Sequence, residues 1–132
     1  MINLPQPSPK AARVAWIIYT TALLTATHWP GLTIKGPIDR TDLIIHAGVF
    51  CIWTCLLYAT RWIGGCTCGT RRLVWTGVAA ICFATFDEST QPLFRRVFDW
   101  WDLAADYTGV LLALALLTAT QRIWPRFRSD PG

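Results

Sequence analysis

Charged residues are nearly absent from four stretches of this chain, and short polar segments bearing proline or glycine separate them. The first apolar run is Ala12 to Trp29, closed by the Trp29-Pro30-Gly31 turn. The second runs from about Asp42 to Ile63, before Gly64-Gly65. The third extends from about Leu73 through Asp87-Glu88 to Gln91, because Pro92 disfavours helix at the residue before it. The fourth runs from about Asp102 to Trp124 and stops at Pro125. Each run is close to the ~20 residues that a helix needs to cross a bilayer. The pattern predicts an all-α integral membrane four-helix bundle with short loops. Residues 1–11 form a polar tail, 12–124 the four-span domain and 125–132 a basic tail.

Trp16, Trp29, Trp62, Trp75, Trp100, Trp101, Tyr107 and Trp124 gather toward the run ends, as amphipathic rings do at headgroup depth. Trp53 lies near mid-span and is expected to pack against another helix. With a cytoplasmic N-terminus, the inner segments hold Lys10, Arg13, Arg61, Arg71, Arg72, Arg122, Arg126 and Arg128. The outer loops hold only Lys35, Arg40, Arg95 and Arg96. The positive-inside rule therefore predicts a multi-pass protein of the cell membrane with both termini cytoplasmic. No small-residue cleavage site precedes the Trp-Pro-Gly turn, so the first run reads as a span and not as a secretory signal.

Composition changes this picture little. At 132 residues the chain holds at most one ordinary domain. Its 53% apolar share is only slightly above the ~45–50% of soluble proteins, so the distribution of those residues decides the class. A disordered tail, a disulfide-stapled secreted domain and a soluble enzyme are excluded. The net charge of +4 forms no continuous stripe, and nucleic acid is not an expected partner. Cys51 and Cys55, one turn apart, and Cys82 sit within apolar runs and read as small hydrophobes. Cys66 and Cys68 supply fewer ligands than a structural zinc site needs. No metal or cofactor is expected.

Under this topology Asp39, Asp42, Asp87, Glu88, Asp99, Asp102 and Asp106 all fall at or beyond the outer membrane surface, with His46 near the same end of its helix. Asp42 and His46, four apart, share a helix face. Asp99, Asp102, Asp106 and Gly109 lie within an arc of about 80°. Asp39 and Asp99 each stand where a helix begins, and an N-cap role explains them well. Capping does not explain Glu88 and Asp106, which lie about a turn inside their helices, where an ionised group is costly unless paired or hydrated. Arg95 and Arg96 in the connecting loop are natural partners.

The segment from Phe86 to Gly109 resembles the VanZ-like family of small membrane proteins. Asp87, Glu88, Gln91, Arg96, Phe98, Asp99, Asp102, Ala105 and Gly109 fit its D-E-x-x-Q…R-x-F-D-x-x-D-x-x-A-[N/D]-x-x-G pattern. Asp39, His46 and Phe50 match an earlier D-x(6)-H-x-x-x-F signature, so the resemblance covers about residues 37–113. Two positions depart from it: Asp106 stands where Asn is common, and Arg95 where Gly often precedes the family arginine. The resemblance implies a membrane fold, a cell-envelope setting and a link to teicoplanin resistance. It implies no reaction.

Two functions follow as expectations. The first is a ligand-binding or catalytic site at the outer face, with Glu88, Asp102 and Asp106 surrounding Arg96 and His46, and Gln91 and Asp39 completing the ligand contacts. Arg96 would hold an anionic headgroup or phosphate bidentately. Glu88 and His46 are the candidate proton-transfer pair. The ligand would be a membrane lipid, a lipid-linked cell-wall precursor or a lipid-tailed glycopeptide; a carboxylate–histidine metal centre is a lesser variant. The second is a non-catalytic module that packs against a larger membrane protein or a second copy. In it Gly109 and Ala113 permit close helix approach and the polar cluster is an interhelical lock.

Overall fold

The protein is described by a computed structural model for residues 8–30, 40–63 and 69–128, the last six of these by their backbone alone. Four α-helices form among the described residues: α1 Pro9–Thr27, α2 Thr41–Thr60, α3 Gly69–Thr90 and α4 Trp100–Arg128. A 3-10 turn, Gln91–Phe94, follows α3, and no strand occurs among the described residues. The helices coincide with the four apolar runs to within a few residues. The largest differences are at the start of α3, at Gly69 where the pattern places Leu73, and at the end of α4, which passes Pro125 and ends at Arg128. Proline removes one intrahelical hydrogen bond there, but the loss falls in the last turn. Cys66 and Cys68 lie outside the described residues.

Local chemistry explains the ends. Ser8 caps α1, its Oγ accepting from the Ala11 N–H at 3.2 Å, and Pro9 takes the first helical position, where its missing N–H costs nothing. Arg40 and Arg61 bracket α2 in left-handed conformations, φ 62° and 59°. Such a conformation costs a non-glycine residue about 1–2 kcal/mol, so neighbours must hold it. The last carbonyls of α2 are met from the adjoining helices. Arg13 Nε donates to Thr60 O at 3.1 Å, and Arg72 Nη2 donates to Tyr58 O while its guanidinium lies 3.9 Å from the Tyr58 ring centre. Cations at a helix C-terminus also suit its dipole.

The contacts define the topology. Arg13 meets Thr60 and Tyr19 meets Val49, so α1 and α2 are antiparallel. Thr85 meets Tyr107, and Gly77 lies against Leu114, so α3 and α4 are antiparallel as well. His46 faces Asp106 and Tyr58 faces Gln121, which makes α2 and α4 parallel. Helix α2 is the hub, touching all three others and α4 most extensively. The starts of α1 and α3 thus lie with the ends of α2 and α4. That end carries Lys10, Arg13, Arg61, Arg71, Arg72 and Arg122; the other carries Asp42, Asp87, Glu88, Asp99, Asp102 and Asp106 together with Arg40, Arg95 and Arg96.

Trp53 forms the centre of the core, as its mid-span position predicts. It is 2% exposed, stacks on Phe83 at 4.3 Å and packs against Trp16 at 5.4 Å. Its indole Nε1 donates to Thr20 Oγ1 at 2.9 Å, so the ring is buried with its polar atom satisfied. Small residues bring the helices together: Ala80, Ala84 and Ala113 have no exposed surface. The closest approach is at Gly109, where an added Cβ would stand 2.1 Å from Ala47 O.

The distribution of polarity is inverted relative to a soluble domain. Ile17, Ile18, Ile44, Val74, Leu111 and Leu112 are each more than half exposed, whereas Asp87, Glu88, Gln91 and Asp106 are fully buried. Helices α2 (Thr41–Thr60) and α4 (Trp100–Arg122) are long and apolar enough to cross a membrane. The threonines of α1 turn their hydroxyls back on the helix: Thr20 to Trp16 O at 2.8 Å, Thr21 to Ile17 O at 3.0 Å, Thr25 to Thr21 O at 2.8 Å. Each such bond hides a polar group from whatever surrounds the helix.

Gly109→Ala is expected to destabilise the bundle by about 1–3 kcal/mol, because the new methyl group meets backbone that cannot yield. Gly77→Ala meets only the flexible Leu114 Cδ1, at 2.8 Å, and should cost clearly less. Unfolding of the two variants in detergent, side by side with wild type, measures the difference.

Candidate functional site

The close α2–α4 contact positions the first functional pair. Ala47 touches Gly109, and the preceding His46 and the preceding-turn Asp106 are thereby brought to bonding distance. His46 Nδ1 lies 2.8 Å from Asp106 Oδ1, and with Asp106 ionised the shared proton is on Nδ1. Asp106 is wholly buried, and its side chain and that of His46 are 0% and 14% exposed. The other ring nitrogen, Nε2, lies 3.8 Å from Asp102 Oδ2, within ion-pair range but too long for a hydrogen bond. Asp102 and Asp106 are one turn apart on the same face of α4. Each keeps one buried carboxylate oxygen, Asp102 Oδ1 and Asp106 Oδ2, without a protein partner.

Glu88 is differently placed. Its Oε2 accepts from Gln91 Nε2 at 2.6 Å and its Oε1 from the Asp99 backbone N–H at 2.9 Å. Gln91 Oε1 in turn accepts from Arg96 Nε at 3.4 Å. Both Glu88 oxygens are therefore engaged, and the carboxylate ties the end of α3 to the start of α4. Asp99 is the N-cap expected from its position: Oδ1 accepts from the Trp101 N–H at 2.8 Å. Its Oδ2 accepts from Arg40 Nη2 at 3.2 Å, and the Arg40 guanidinium lies over the Trp101 ring at 5.6 Å. These contacts hold Arg40 in its left-handed conformation. Asp39 lies outside the described residues.

A second cluster adjoins the first and was not legible in the sequence. Thr27 Oγ1 donates to Asp87 Oδ1 at 2.9 Å, and His28 Nδ1 stands 3.7 Å from the same oxygen. His28 also donates from Nδ1 to Leu24 O at 3.0 Å, while Nε2 meets the Thr90 hydroxyl at 2.9 Å and the Phe94 ring packs edge-on at 4.7 Å. Asp87, fully buried, leaves Oδ2 unpartnered. The available signal was a histidine closing the first run at the end where Asp87 also falls. Asp87 and Asp106 are close enough to interact electrostatically, as are Asp87 and His46. The polar region therefore extends across all four helices.

Of the residues that the sequence nominates, the structure gathers His46, Asp102 and Asp106 into one cluster and Glu88, Gln91 and Arg96 into an adjoining network. Among the described residues no three His, Cys, Asp or Glu side chains converge as ligands for a metal ion. No protein-family model matches the chain, nor does any curated protein or solved structure.

His46→Ala leaves Asp106 buried with neither oxygen bonded and is expected to cost about 3–5 kcal/mol. Asp99→Ala removes an N-cap and should cost about 1 kcal/mol. Denaturant unfolding in detergent ranks the two, and the reverse order would mean that the His46–Asp106 bond is not the buried link.

Proposed function

We propose that this chain is a four-span membrane protein of the VanZ-like type, with both termini cytoplasmic and its acidic end at the extracytoplasmic face of the cell envelope. The inverted polarity of the helix surfaces supports a lipid surround, because lipid cannot bond to buried carboxylates but suits exposed isoleucine and leucine. The back-bonded threonines support a lipid-exposed α1 despite its modest hydropathy. Among the described residues with side chains, six Lys and Arg lie at one end, Lys10, Arg13, Arg61, Arg71, Arg72 and Arg122, against Arg40, Arg95 and Arg96 at the other, and this excess is the asymmetry that the positive-inside rule reads. Arg95, where the family pattern often has Gly, takes φ 62°, the left-handed conformation that glycine favours. The substitution is thus compatible with a glycine-type turn.

The acidic end is a ligand site. The observation that carries this reading is Asp106, completely buried, bonded to His46 through one oxygen and to nothing through the other. A buried acceptor without a partner calls for an explanation, and a donor brought by a ligand supplies one. The ligand is the polar head of a membrane lipid, a lipid-linked cell-wall precursor or a lipid-tailed glycopeptide, and the physiological consequence is reduced sensitivity to teicoplanin. In this reading the proton-transfer pair is His46 with Asp106 in place of the expected Glu88, both of whose oxygens are engaged, while Glu88, Gln91 and Arg96 hold the α3–α4 connection around them.

A second reading, a non-catalytic module that packs against another membrane protein, is favoured by one observation: Glu88 is closed off by two internal donors, as a lock would be. Teicoplanin susceptibility of a Gram-positive host separates the two. Wild type is expected to protect, with Asp106→Asn and Arg96→Ala failing to protect at matched membrane abundance. Protection by all three proteins would leave the packing module. For the topology, a C-terminal fluorescent-protein fusion should fluoresce, and a C-terminal alkaline phosphatase fusion should be inactive. The opposite pair of results would invert the proposed orientation.

A further inference from the structure

The unsatisfied groups of the polar region are all of one kind. Asp87 Oδ2, Asp102 Oδ1 and Asp106 Oδ2 are buried acceptors without a protein partner. The donors that border them are engaged: Thr27 with Asp87, Gln91 with Glu88, and Arg96 with Gln91 among its contacts. The charge has the same bias. Asp87, Glu88 and Asp106 are fully buried and Asp102 is 13% exposed, against two permanent cations, Arg96 and the Arg40 that is paired with Asp99 and lies in electrostatic range of Asp102, and two imidazoles that carry charge only when protonated. A further anion would meet like charge and acceptors with nothing to donate. A group bringing N–H donors and positive charge would complete the inventory.

We infer that the site takes a primary ammonium group, with Asp102 and Asp106 as its acceptors, and not the anionic headgroup or phosphate that Arg96 alone would suggest. The inference rests on the reading that the acidic end is a ligand site, and it names that ligand's chemistry. An ammonium carries three N–H donors and no acceptor, which matches carboxylate oxygens stacked one turn apart on α4. Entry is from the outer turn, where the side chains of His46 and Asp102 are 14% and 13% exposed, and the floor is Asp106. Asp87 adds a third acceptor from α3 in electrostatic range of Asp106. His46, bonded to Asp106, reports directly on occupancy. The ammonium has two possible sources, an aminated lipid headgroup in the surrounding leaflet or a soluble amine.

The test uses the full chain in nanodiscs of phosphatidylglycerol, which carry no amine. Ethanolamine is titrated in one arm, and in another phosphatidylethanolamine replaces part of the phosphatidylglycerol. Two readouts are followed, the thermal unfolding midpoint and the imidazole nitrogen resonances of His46. Either arm is expected to raise the midpoint and move His46, and which arm does so identifies the source. Asp106→Asn should weaken the response about tenfold to a hundredfold. Asp102→Asn, altered at a partly exposed position, carries the same expectation if Asp106→Asn fails to fold. Choline, which has no N–H, should be inert at equal concentration. A response to choline equal to that of ethanolamine overturns the inference, as does a response to calcium in place of ammonium. If inorganic phosphate moves His46 and ammonium does not, the site binds a ligand but the charge assignment is wrong. If none of these probes moves His46, the ligand-site reading falls together with the inference.

Discussion

The backbone contact between α2 and α4 governs what the rest of the molecule can do. Gly109 has no side chain, so α4 comes against the Ala47 carbonyl at a separation that any Cβ would forbid. At that separation His46 and Asp106 reach each other at 2.8 Å, deep between two parallel helices. Widening the contact would lengthen that bond and weaken the one hydrogen bond that the buried Asp106 carboxylate makes. The glycine and the histidine–aspartate pair are therefore one feature: packing at one position makes the electrostatics at the next possible.

The two ends of the bundle solve opposite problems. At the basic end Arg13 and Arg72 supply donors to the last carbonyls of α2, so the cations stabilise helix termini. At the acidic end Asp99 caps α4, Glu88 accepts from the same N-terminal region, and Arg40 clips the two helix starts together. Those carboxylates have structural work that accounts for them. Asp87 and Asp106 link helices through one oxygen each, to Thr27 and His46, but they and Asp102 each retain an oxygen that the fold leaves unbonded. The division between satisfied and unsatisfied carboxylates is the observation on which the proposed ligand site rests.

Between the ends, the aromatic stack of Trp53 on Phe83 and the alanines of α3 and α4 make a thin core. So small an interior would stabilise a water-soluble domain poorly, because most of its large apolar side chains would face solvent. In the proposed membrane setting the burden is different: backbone bonds are satisfied within each helix, and small residues and a few buried polar pairs suffice to choose the helix neighbours.

The sequence alone determined the four helices of the described residues, their approximate limits and the gathering of their acidic residues at one end, because length, hydropathy and proline position are local properties of the chain. It also singled out His46, Glu88, Asp102 and Asp106, since charge within an apolar run is conspicuous wherever the run folds. Tertiary structure decided which of these carboxylates are closed off and which are not. Glu88 and Asp106 look alike in the sequence, each about a turn inside a helix, yet one meets two donors and the other meets one. The Thr27–His28–Asp87 cluster was invisible for the same reason: its members are about 60 residues apart and become neighbours only when α1 lies beside α3. Hydrogen-bond satisfaction is a property of pairs, and pairing across helices is set by packing distances that no single segment encodes.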